Sequence, residues 1–158
     1  MSAAGYAVHT ESAVALTAAT ARSILGVKAH ANSGLQIKEF TISFDGATGS
    51  ATPALVELAY CTFATNSPGT QSTSCTVRQH YGRVLTAGFT AGHSWVAANE
   101  PTVITTGHAF YVPVFNGFLC KQFPLGQEPD TALAEGYVLR VTAPAAVNAR
   151  AAMVVERI

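Results

Sequence analysis

Glu128 and Asp130 stand two residues apart in GQEPD, and two carboxylates within reach of one sugar are the minimum that glycoside hydrolysis requires. Gly126 and Pro129 favour a turn there instead, with the acids solvated or capping nearby backbone N–H groups. Gly92, His93, Ser94 and Trp95 set a histidine beside a serine, but neighbours on a strand point to opposite faces, and no G-x-S-x-G motif is present. The five histidines, His9, His30, His80, His93 and His108, include no pair at i, i+2 or i, i+4, so a metal site would have to assemble from distant strands. In FDGATGS, the residues Gly46, Gly49 and Ser50 read as a turn, because no lysine and no helix follows to hold a phosphate. Neither a catalytic residue nor a cofactor is expected.

Cys61, Cys75 and Cys120 are odd in number and lack C-x-x-C spacing, which argues against a zinc or redox motif. Buried free thiols are expected, and a Cys61–Cys75 pair across adjacent strands stays open.

The elements that must position these groups are strands. Short β-branched and aromatic runs alternate with Gly, Pro, Asn and Asp clusters, and no segment keeps a 3.6-residue apolar period between caps. Strands are predicted near 14–18, 22–30, 35–44, 54–62, 73–80, 107–114, 117–123, 136–142 and 147–156. In LQIKEFTISFDG the apolar parity switches at Lys38 and Glu39, which predicts a β-bulge. Val56, Leu58 and Tyr60 should face inward with Glu57 outside. Tyr137, Leu139 and Val141, then Val147, Ala149, Ala151, Met153 and Val155, should line the core in the last two strands. Asn116-Gly117 predicts a tight hairpin pairing Phe110–Phe115 with Phe118–Phe123, with Pro113 requiring that its strand lie at an edge or that the proline face outward. Residues 124–130 then form a crossover to the C-terminal strands.

The fold class predicted is all-β: a two-sheet antiparallel sandwich of jelly-roll type with about eight to nine strands. An immunoglobulin-like sandwich lacks its Cys, Trp and Cys order. Residues 1–12 read as an N-terminal arm and 13–158 as one domain with a long excursion at about 81–106. Trp95 and Phe89 should pin that excursion onto the core or onto a neighbouring subunit.

The 158 residues carry nine basic and nine acidic side chains, only 11% charged in all against roughly 25% in an average soluble protein. The surface must be largely neutral, which suits packing against neighbours. No basic cluster exists to hold phosphates, so nucleic acid is not an expected partner. No run approaches the roughly 18 apolar residues of a membrane span, and the N-terminus is a poor signal peptide, so synthesis in the cytoplasm is expected.

Taken together, ALTAATARSILGVKA (15–29), GLQIKEFTISFDG (34–46), PALVELAY (53–60), QFPLGQEPD (122–130) and LRVTAPAAVNARAAMVVER (139–157) resemble small structural proteins of tailed bacteriophages, components of the virion head. The resemblance spans most of the chain outside 61–106 and rests on fold pattern, with no reaction motif. It implies a non-enzymatic decoration, cement or minor head protein on the capsid surface, whose partners are the major capsid protein and its own copies, a trimer being the first expectation. Expected contact residues are Tyr6, Val8 and His9 in the arm and Phe89, His93 and Trp95 in the excursion. The alternative is a carbohydrate- or receptor-binding jelly roll, with Trp95, Tyr81 and Tyr111 as the only plausible sugar platform.

Overall fold

A computed structural model describes residues 3–47 and 52–158, the side chain at 104 excepted. The described residues contain twelve strands and no helix: β1 (Gly5–His9), β2 (Val14–Leu16), β3 (Ala21–Lys28), β4 (Leu35–Phe44), β5 (Ala54–Thr62), β6 (Thr73–Ser74), β7 (Arg78–Tyr81), β8 (Thr90–His93), β9 (Thr102–Val112), β10 (Phe118–Gln122), β11 (Glu135–Thr142) and β12 (Val147–Arg157). They form two antiparallel sheets. The first runs β10-β4-β12-β1-β7, with β2 also on β12, and the second runs β6-β8-β3-β11-β5-β9.

Without the short β2, β6, β7 and β8, the sheets reduce to β1-β12-β4-β10 facing β3-β11-β5-β9. Along these eight strands the chain changes sheet at every step except β5 to β9, which is the connectivity of a jelly roll. The predicted sandwich is therefore present, with more strands than the eight or nine expected, since β1 and β8 add to them and the strand expected over 73–80 forms two.

Alternation explains the core. β12 buries Val147, Ala149, Ala151, Met153 and Val155, while β11 buries Leu139 and Val141 and packs Tyr137 at their end. On β4, Val154 opposite Glu39 and Val155 opposite Ile37 leave Lys38 unpaired, the predicted bulge. It returns Ile37 and Phe40 to one buried face. Val56 and Leu58 join the main core as expected, and Tyr60 stands half-buried beyond them against Tyr137.

Three predicted elements are corrected. Residues 5–9 are not part of an arm: β1 lies between β12 and β7, because Tyr6 and Val8 have a core to enter. The strand predicted over 73–80 is split, with β6 on the second sheet and β7 on the first. Phe110–Phe115 and Phe118–Phe123 do not form a hairpin, for β9 pairs with β5 and β10 with β4. Asn116 does adopt the positive φ expected, at 48°, and Gly117 packs where a β-carbon would strike the Pro113 carbonyl. The turn chemistry serves a crossover between sheets, held by Phe44 N–H on the Gly117 carbonyl at 3.0 Å and Gly46 N–H on the Val114 carbonyl at 3.1 Å. The turn expected at Gly49 and Ser50 lies outside the described residues.

Candidate functional site

The two lateral sides of the sandwich differ. Between β5 and β9 the chain, from before the expected excursion and through it, places β6 on the second sheet, β7 on the first and β8 on the second, and so closes one side. Phe89 is buried there and meets Tyr6 edge-on at 5.6 Å, while the Tyr6 hydroxyl donates to the Leu85 carbonyl at 3.0 Å.

Beyond β8 the chain covers the outer face of the second sheet. Along β5, Val56 and Leu58 enter the main core, so Ala59 and Cys61 point the other way. They form a second apolar cluster with Phe63, Val138 and the fully buried Trp95. The indole N–H donates to the Asn66 carbonyl at 2.9 Å, and Arg22 Nε donates to the Trp95 carbonyl at 2.9 Å. Glu100 accepts the Ser23 backbone N–H on both carboxylate oxygens, at 3.1 and 2.9 Å. Burial nevertheless pushes its carboxyl above the usual carboxylate range. Trp95 pins the excursion as expected, and the surface it pins to is the chain's own outer sheet face.

Five of the six expected contact residues are therefore interior. Tyr6 is 2% exposed, His93 4%, and Val8, Phe89 and Trp95 are also buried. Their side chains cannot reach a partner in the folded subunit. His93 Nδ1 lies 2.8 Å from Ser94 Oγ, and burial lowers the imidazole's pKa. His9 alone is half-exposed, its Nδ1 3.0 Å from the Thr10 carbonyl.

The acids of GQEPD take up structural positions. Glu128 bonds Lys38 Nζ at 2.6 Å, and the same ammonium reaches Glu156 at 2.7 Å. Tyr81 donates to Glu156 from the other side at 3.2 Å. Burial works against the Lys38 charge, but its two carboxylate partners outweigh that and raise its pKa, while the Lys38 bond lowers that of Glu128. Asp130 is exposed and bridges to Gln36 through the backbone.

All three cysteines are free. Cys61 sits beneath Trp95 on the outer cluster and Cys75 packs against the main core, so the pair left open from sequence does not form. Burial pushes both thiols up to about 12. Among the described residues no three His, Cys, Asp or Glu side chains converge as metal ligands.

The opposite side, formed by β9, the 113–117 crossover and β10, carries no such cover among the described residues. Tyr111 is 74% exposed, Phe118 66% and Leu125 92%, with Phe115 and Cys120 exposed between them. These residues were legible only in part: Pro113 marks an edge, but a hairpin would have placed Phe115 and Phe118 inside one ladder. The chain matches no family model, no curated protein and no solved structure.

Proposed function

We propose that the protein is a structural subunit of a tailed-bacteriophage virion, bound to the outside of the capsid lattice as a decoration or cement protein. Its partners in this reading are the major capsid protein and further copies of itself. The observation that carries it is the asymmetry of the sandwich: one side is closed by the chain's own excursion, and the other exposes Tyr111, Phe115 and Phe118 near two strand edges that are unpaired among the described residues. Exposed apolar side chains on a weakly charged domain suit lasting contact with protein neighbours. Weak contacts repeated over a lattice add through effective concentration, so a subunit clamping several shell proteins resists expansion of the shell.

The glycan-binding alternative is weakened by the burial of Trp95, which leaves Tyr81 and Tyr111 as platform residues. They stand on β7 and β9, at opposite lateral sides of the sandwich. Shells of the encoding phage that lack this protein provide the test. Added protein should sediment with them at a saturating, lattice-related ratio and raise their disruption temperature. Protein left in the supernatant at micromolar concentration contradicts the reading.

A further inference from the structure

Among the described residues, the open side contains the longest exposed strand edge. β9 ends the second sheet, and among the described residues no backbone hydrogen bond reaches its outer edge. An unpaired edge of this kind is a template for another strand. The other sheet-end strands are less suited to the role: β10 carries Lys121, β7 carries Arg78, and β6 is only two residues long. In contrast TVITTGHAFYV has no charged residue, so a copy of itself meets no like charge.

The register is bounded. Shifts against β5 leave Ile104 and Gly107 as extra residues, and these bulges interrupt the edge. Pro113 stops pairing at the other end, since it has no N–H to donate. His108–Val112 remains as a regular window of five residues centred on Phe110. Within it, His108 and Phe110 stack at 6.3 Å on the core side, and Ala109 and Tyr111 are exposed on the outer face.

We propose that β9 pairs antiparallel with β9 of a second copy across a twofold axis at Phe110, joining the two second sheets into one. Phe110 then faces the partner's Phe110, and each exposed Tyr111 lies over the small Ala109 of the other copy. The contact is isologous, so it produces a pair in place of the trimer that the resemblance implies. This deepens the self-association in the virion reading by naming the strand and its register.

Light scattering on the full chain without shells tests it. The wild type should have twice the 16.4 kDa chain mass at micromolar concentration. The exposed-face double variant A109K/Y111K, which sets lysines opposite one another, should be monomeric and should still unfold in one cooperative thermal transition, at a temperature lowered by the lost association. A wild-type monomer, a trimer, or a dimer that survives this variant overturns the pairing. Independently, F110C/C120S should cross-link under mild oxidation, because Cα atoms of facing residues lie about 4.5–5.5 Å apart, within disulfide reach. L125C/C120S should not, and absence of the F110C/C120S cross-link also overturns the proposal. A dimer that ignores shells removes the virion reading alone, and a monomer that binds shells removes the pairing alone.

Discussion

The Trp95 ring stands 2.9 Å from where a β-carbon on Gly26 would lie, and Val138 stands 2.7 Å from the same point. The absence of a side chain at Gly26 lets the indole settle onto the outer face of the second sheet. The excursion is thereby fastened over that face.

Gly26→Ala should therefore lower stability by about 1–3 kcal/mol, the usual cost of overpacking. Trp95→Ala should cost about 3–5 kcal/mol. Urea denaturation checks both, and proteolysis should begin within 63–101 in the Trp95 variant. A Gly26→Ala protein as stable as the wild type would mean that the excursion is not seated as described.

Much of this was legible in the residues, and the misses have physical reasons. The bulge at Lys38 was readable because a one-residue parity switch moves every later side chain to the other face. The hairpin at Asn116-Gly117 was misread because positive φ is a local requirement, whereas the sheet that each flanking strand joins is decided by distant partners, β5 and β4. β1 was missed because five residues after an Ala-rich start carry little periodic signal until β12 pairs with them. Trp95 was recognised as an anchor, but its target depends on Gly26, whose lack of a side chain does not announce a neighbour. The contact residues failed for a related reason: apolar residues in an irregular segment read equally well as buried or as waiting for a partner.

The Lys38 cluster should set the acid limit of the fold. The Lys38 ammonium holds the Glu128 carboxyl below its usual range, so Glu128 contributes stability above the ordinary pKa of 4.5 and loses it as pH falls through the depressed value. Lys38→Met leaves Glu128 and Glu156 without their shared cation. The variant should be less stable than wild type at pH 7, with the difference shrinking as pH falls and Glu128 takes up its proton. Urea midpoints across pH 3–7 check this, and a constant difference over that range contradicts it.

Thiol reactivity should separate the three cysteines. Cys120 is exposed on β10, whereas Cys61 is buried and Cys75 partly buried, and both hold their protons up to about 12. Titration of the native protein with a disulfide reagent at pH 8 should show one fast thiol per chain, and three after denaturation. A second fast thiol would mean that the closed side opens readily.

Mass spectrometry and cryo-EM of purified particles of the phage that the proposed function implies test the central claim most directly. The protein should be present at a copy number set by the capsid lattice, with density on the outer surface that fits this jelly roll and turns its β9–β10 side toward a protein neighbour. Particles that lack the protein, or that carry it only as an occasional contaminant, would contradict the account.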